Sequence, residues 1–513
     1  MKLDRISNLE DDVIQQILSC LPIRDAVRTR ILSRTWKSNC DNLPCLVFDD
    51  RCCLSDQTGT KGKRETTLEN IVDYVLVSQI GSIHTFKISC RNKPLAAADI
   101  DRWIYRLSKS SLKKCTLELW RGPPYNVSSS LFLCQDLIHL ELHSCLLKPP
   151  STFKGFWKLK TLNIQMVTIT QDMFEKMIAC SPLLEKLILC DFAGIKTLNI
   201  DAPKLQYLKV EGAFEDVDIG VNTLNLVHVS IEQKKAASIS CTNFFKFFSQ
   251  LTRIESLSID GFFLQSSVGA LQEELLKPYL CLKSLCLGIR LNNLDETLAA
   301  VHLLRSSPVQ ELEISVRQEA EAADANVGDT TFWLNDNQKF SQLRLVKVTG
   351  FSGVKAEVDF IKFLLLRSPS LQQLEILAWQ QDGAIRRKVS SWLGDSQNWA
   401  FNQLRVVKLI DISGVKAELA LIRFLLLKSP VLEKMIVRPL HLTGNRALIK
   451  KLLQFRRASG KAEIKYLDPL KHVPANAGSN QRQANAHADY ESDSSSSSDS
   501  SSSSDSSSSS DSD

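Results

Sequence analysis

Cys134, His139, His143 and Cys145 are of the residue types that ligate zinc, and their closeness makes them the first group to test for chemistry. Their pattern points elsewhere. His139, Glu141 and His143 alternate with Leu140 and Leu142, the period of an extended strand, so the imidazoles share one face while the leucines fill the other. No metal site is expected. The fourteen cysteines all fall between Cys20 and Cys286 and contain no CxxC pair, and several sit in apolar runs such as LILC ending at Cys190. They read as small buried hydrophobes in a reducing compartment. No GxxxxGK[ST] phosphate loop, GxSxG elbow, HExxH helix or paired cysteines of a RING domain occur, so no catalytic residue, no cofactor and no enzymatic activity are expected. The remaining chemistry lies at the end of the chain. From Asp489 onward the residues are Ser and acidic almost without exception, and Ser496, Ser502 and Ser508 each precede an Asp by three residues, a spacing that acidic-directed kinases favour. With no apolar residue after Tyr490, this tail is expected to be disordered, either as a passive solubilising run or as a regulatory one.

These side chains must be positioned by elements, and the elements repeat. Residues 340–377 recur at a constant offset of 61 in residues 401–438: FSQLRLVKVTGFSGVKAE aligns without a gap on FNQLRVVKLIDISGVKAE. Both copies read strand, turn, amphipathic helix, Ser-Pro, strand. Gly353 and Gly414 fall between strand and helix, where a turn needs positive φ or close backbone approach. The apolar runs Phe360 to Leu366 and Leu421 to Leu427 read as core helices, stopped by Ser368-Pro369 and Ser429-Pro430. A unit this short cannot bury both its strand and its helix alone, so the duplication implies a stacked array whose neighbours complete each other. Shorter leucine units precede it: LIHLEL from Leu137, LKTLNI from Leu159, LEKLIL from Leu184, LQYLKV from Leu205 and LKSLCL from Leu282. In each L-x-x-L-x-L the last two apolar residues should point inward from a strand. Helical patterns at Leu68 to Val77 and Asp99 to Leu107 alternate with strand patterns at Ile83 to Ser89 and Cys115 to Trp120. The fold class is α/β, an irregular solenoid with a parallel strand stack and helices on its convex side.

The chain begins with three short helical patterns. Val13, Ile14, Ile17, Leu18 and Leu21 make one apolar stripe, Ser7 with Glu10 offers a capping box, and Pro22 ends the helix. A second helix from Asp25 is expected to bury Ala26, Val27 and Ile31, and a third from Arg34 to Leu43 offers Trp36. Fewer than fifty residues make a poor independent core, so these positions are expected to complete themselves on a partner. Net charge is +6, and the tail holds seven acidic residues and no basic one, leaving the body near +13. No Arg/Lys cluster is interleaved with aromatics, so nucleic acid is not an expected partner. No run of eighteen apolar residues occurs and MKLDRISNLEDDV is charged, which predicts a soluble protein of the cytoplasm and/or nucleus with no membrane association.

LEDDVIQQILSCLPIRDAVRTRILSRTWKSNCDNLPCLVFDD resembles the F-box, whose pattern is Leu-Pro, a helix ending Leu-x-x-Leu-Pro, then Ser-Arg-x-Trp. Leu9, Ile14, Ile17, Leu18, Leu21, Pro22, Ala26, Leu32, Ser33, Arg34 and Trp36 fall in register. The resemblance implies that Leu9, Ile14, Ile17, Leu18, Leu21, Pro22, Ala26, Leu32, Ser33 and Trp36 dock on the Skp-type adaptor of a cullin ubiquitin ligase. Glu10 stands where the family has Pro, and Asn39-Cys40-Asp41 replaces a more aromatic or basic stretch. Beyond the first fifty residues, Leu131 to Phe156 resembles the repeat core of the plant F-box/FBD/leucine-rich-repeat proteins. LRVVKLIDISGVKAELALIRFLLLKSPVLEKMIV resembles their FBD segment, and FRRASGKAEIKYLDP resembles their usual ending. Cys145 then occupies the repeat position commonly filled by Asn or Cys.

The expected organisation is an F-box at 1–50, a polar hinge at 51–65, a leucine-rich-repeat solenoid at 66–335, duplicated FBD-like repeats at 336–470, a linker at 471–488 and the tail at 489–513. The resemblance implies a substrate-recognition subunit of a Skp-cullin-F-box ubiquitin ligase, with an unknown protein substrate held by the repeats. The other reading is a repeat-based protein-binding scaffold without ligase coupling.

Overall fold

The computed structural model describes residues 6, 9–53, 67–234, 247, 251–265, 281–317, 339–379, 400–440 and 445–468. The tail with Ser496, Ser502 and Ser508, the linker at 471–488 and most of the hinge at 51–65 lie outside the described residues.

Leucine spacing sets the architecture. Alternate side chains of a strand turn to opposite faces, and Leu140 with Leu142, Leu162 with Ile164, Leu187 with Leu189, Leu208 with Val210, and Leu285 with Leu287 are all fully buried. The described strands that carry them belong to one parallel sheet of sixteen, running from Cys45–Asp49 to Glu463–Tyr466. Neighbours keep one phase: Leu140 lies opposite Leu162, Leu162 opposite Leu187, and Leu187 opposite Leu208. The inward residues therefore stack in continuous rows. Each such side chain contributes about 1.5–3 kcal/mol over its exposed state, so the rows hold the array together.

Three helices precede the sheet: α1 (Asp11–Cys20), α2 (Ile23–Arg28) and α3 (Arg34–Cys40). Asp11 and Asp12 sit in the first turn of α1, where the exposed N–H groups favour carboxylates. Ser7, the expected partner of Glu10 in a capping box, lies outside the described residues, and Glu10 holds the cap position in extended conformation. α2 begins at Ile23 rather than Asp25, since Pro22 supplies a preset φ and its carbonyl accepts the Asp25 and Ala26 N–H groups at 2.9 and 3.0 Å. Ile31 falls in the 3₁₀ turn Thr29–Ile31 and is exposed, against the expectation that it faces inward. The Ser33 hydroxyl caps α3 by accepting the Trp36 N–H at 3.3 Å.

The end of the F-box-like stretch is also the start of the array. Cys45–Asp49 pairs in parallel with Thr85–Cys90, placing the fully buried Leu46 and Phe48 beside Phe86 and Ile88. The boundary at residue 50 is therefore no break in the core, and the described residues up to Leu467 form one compact unit. α4 (Leu68–Ser78) and α5 (Ala97–Leu107) follow as returns to the next strands, joined where the Trp103 indole donates to Asp73 at 2.7 Å. Farther along, α6 (Gln171–Ala179) and the short α7 (Gly261–Gln265) serve later strands.

The duplicated unit turns out to have a third, diverged copy ahead of it. α8 (Leu294–Arg305), α9 (Lys355–Arg367) and α10 (Lys416–Lys428) each connect two sheet strands, and each carries a buried Glu, at 296, 357 and 418, separated by the same 61 residues. Each carboxylate closes the turn ahead of its own helix. Glu357 Oε2 accepts the Ser352 and Gly353 N–H groups, both at 2.8 Å. Glu418 Oε2 accepts those of Gly414 and Val415 at 2.7 and 3.1 Å, and Glu296 Oε2 accepts that of Arg290 at 2.7 Å. Gly353 and Gly414 hold φ of +81° and +80°, the left-handed turn expected for them. α9 and α10 end at the residue before Ser368-Pro369 and Ser429-Pro430, and α11 (Asn445–Gln454) precedes the last strand.

Candidate functional site

The ten residues expected to face an adaptor divide by burial. Ile14, Leu18, Ala26 and Trp36 lie inside the chain's own core and offer no surface to a partner in this conformation. The reason is the welded first strand: the stripe on α1 finds α3, and the core of the three helices continues into Leu43, Leu46 and the first repeat. Leu9 and Leu21 are half-buried against that core, and Ser33 serves as the α3 cap. Ile17, Pro22 and Leu32 are exposed, and so are Val13 and Ile31, which complete the apolar surface. Val13 and Ile17 are one helical turn apart, so they project from the same side of α1.

Beneath this surface lies an ion pair. Arg30 contacts Asp41 at 2.7 Å with both side chains largely covered, and its guanidinium also donates to the Tyr74 hydroxyl at 3.2 Å. Asn39 donates to Asp11 at 2.6 Å, tying α3 to the start of α1. Burial raises the Cys40 thiol above its ordinary range, so it stays protonated at neutral pH.

The outer face of the sheet presents the other half of the strand alternation. Glu313 lies opposite Lys347 and Glu375 opposite Lys408, with ion pairs at 2.9 and 2.6 Å. Lys87 and Ser89 both reach Glu118, at 2.5 and 2.6 Å. Partly exposed pairs of this kind are worth about 0–1 kcal/mol each, so they pattern the surface more than they stabilise it. At the strand ends Trp120 is held between the Arg91 guanidinium, 4.9 Å from its ring, and His143, whose ring centroid lies 3.9 Å away. Such an arrangement suits recognition of a protein surface.

The members of the zinc-like group meet different partners. His139 contacts Glu141 at 3.6 Å on the outer face, while His143 places Nδ1 3.2 Å from the Leu119 carbonyl oxygen and is held below its usual pKa by burial. Cys134 and Cys145 are buried thiols, pushed up by burial to about 11 and about 12, too high for ready metal or nucleophilic chemistry at neutral pH. Among the described residues no group of three or more His, Cys, Asp or Glu side chains is arranged to hold a metal, and no helix is long and apolar enough to cross a membrane.

Three short helices fused to a parallel leucine-repeat sheet define an F-box protein with a leucine-rich-repeat array. An F-box domain model matches residues 6–48, and a model described as the At1g61320/AtMIF1 LRR domain matches residues 78–399. Among relatives from Arabidopsis thaliana, the F-box/FBD/LRR-repeat protein At1g13570 is 34% identical over 388 residues, 73% of this chain and 91% of its own length. The F-box/LRR-repeat protein At3g58980 is 25% identical over 516 residues, covering 92% and 75% of the two chains. The chain belongs to the F-box/FBD/LRR-repeat family, whose members are typically non-enzymatic substrate adaptors, and its F-box implies binding to a Skp1-type adaptor.

Proposed function

We propose that the protein is the substrate-recognition subunit of a Skp-cullin-F-box ubiquitin ligase of the cytoplasm and/or nucleus. The F-box surface holds the adaptor and through it the cullin scaffold, while the outer face of the sheet holds a protein substrate. The observation that carries this reading is the union of the two parts: the exposed Ile17, Ile31 and Leu32 lie on the helical segment 11–40, whose core is continuous with the first strand of the array. A substrate on the sheet would thus be held at a fixed place relative to the ligase, and proximity raises the effective concentration of its lysines. Co-purification of the full-length protein with recombinant adaptor and cullin tests this. Stoichiometric capture of both is expected, with loss on Ile17→Asp/Leu32→Asp. Failure to capture either leaves the scaffold without ligase coupling, the reading that Glu10 in place of the family's Pro favours.

A further inference from the structure

We propose that the adaptor footprint crosses from the F-box onto the first repeat helix, with Tyr74, Val77 and Ile80 extending the surface of Ile31 and Leu32. This rests on the adaptor reading above. Ile31 is 89% exposed, Ile80 81% and Val77 71%, and Tyr74 is more than half exposed. Aliphatic side chains so open, on two neighbouring elements, form the kind of patch that marks an interface.

Arg30 and Asp41 tie the F-box to α4 and the residues that follow it. Its guanidinium pairs with Asp41 at 2.7 Å, donates to the Tyr74 hydroxyl at 3.2 Å and lies 5.5 Å from the centre of the Tyr74 ring. The Asp41 carbonyl in turn accepts the Ile80 N–H at 2.8 Å, and the Gln79 side chain donates to the Leu43 carbonyl at 2.7 Å. Ile31 follows Arg30 directly in sequence, and Leu32 follows Ile31. Exposed apolar residues of both elements, Ile31 and Leu32 on one and Tyr74, Val77 and Ile80 on the other, therefore rim a covered ion pair. Such a rim is already ordered before binding, which removes part of the entropic cost of association. Its continuity with the F-box surface selects the adaptor as occupant rather than the substrate, whose surface lies on the sheet. Tyr74 supplies the aromatic anchor that interface centres favour.

The test measures affinity of the full-length protein for a recombinant Skp-type adaptor by calorimetry. Val77→Ser/Ile80→Ser is compared with wild type and with the F-box variant Ile17→Asp/Leu32→Asp. The expected result is at least tenfold weaker binding by the α4 variant at unchanged Tm, with loss in the F-box variant too. Wild-type affinity in the α4 variant, with loss only in the F-box variant, would overturn the extension and leave the adaptor reading standing. No binding by wild type would sink both. Hydrogen exchange in the wild-type chain gives a readout without mutation: adaptor should slow exchange at residues 74–81, and unchanged exchange there overturns the proposal.

Discussion

Asp260 closes the strand Ser256–Asp260 with its carboxyl covered, accepting the Phe263 N–H at 3.3 Å and facing Arg317 at 3.7 Å. Burial, reinforced by the charge of Glu232, pushes its pKa up to about 6 from an ordinary 3.8. The folded state then binds the proton more tightly than the unfolded chain. The stability this provides is full below the unfolded value and is lost as pH rises from about 4 to about 6. Asp260→Asn keeps an acceptor oxygen and removes the charge. Its stability relative to wild type is expected to rise by about 2 kcal/mol between pH 4.5 and pH 7, at about 1.4 kcal/mol per pKa unit with the first part of the shift already spent below pH 4.5. Thermal melts at the two pH values check this, and an equal difference at both would remove Asp260 from the balance. Sequence could not show this environment, because a strand-end Asp looks the same whether covered or wet. For a similar reason the division of the ten expected adaptor positions between core and surface was not legible. On a helix, a residue that packs inward and one left exposed can be adjacent in sequence, as Leu18 and Ile17 are on α1.

At the level of the element, the two SGVKAE turns look identical in sequence yet meet different neighbours. A Cβ on Gly353 would lie 2.6 Å from the Ala417 Cβ of the next unit, whereas one on Gly414 would meet only Leu448 Cδ1 at 3.6 Å. Both glycines sit near φ +80°, so alanine at either costs about 1–2 kcal/mol of left-handed strain. Gly353→Ala should cost about 1–3 kcal/mol more through overpacking against α10. Denaturant unfolding of the two variants should show this gap, and equal losses would mean that the first turn does not fix its neighbour's position. The unit itself was legible because strand, turn and helix keep their spacing over 61 residues. The third copy was not. Asn292 and Asn293 stand where Gly353 and Val354 do, and the Asn293 side chain caps α8 by accepting the Glu296 N–H at 3.1 Å. A different turn chemistry thus supports the same buried Glu.

Across the whole molecule, the parallel array was legible from leucine phase alone, but its first strand was hidden at the end of the F-box-like stretch. LPCLVF from Leu43 carries the same L-x-x-L-x-apolar pattern as the later strands, but it lies inside the stretch that reads as the third F-box helix and its end. Deleting residues 1–50 removes that strand, uncovers Phe86 and Ile88 and leaves Thr85–Cys90 as an open edge. Such a truncation is expected to lower Tm and to elute as aggregates in light-scattering chromatography, while Ile17→Asp/Leu32→Asp stays monomeric. A monodisperse truncation would show that the array needs no first strand. The ladder also has a mechanical consequence. Every interior strand bonds only to the strand on either side, and Glu463–Tyr466 has a single neighbour, Lys434–Pro439. Tension applied to the last strand therefore opens one short set of hydrogen bonds at a time, as a zip does, and the array is expected to peel unit by unit from that end.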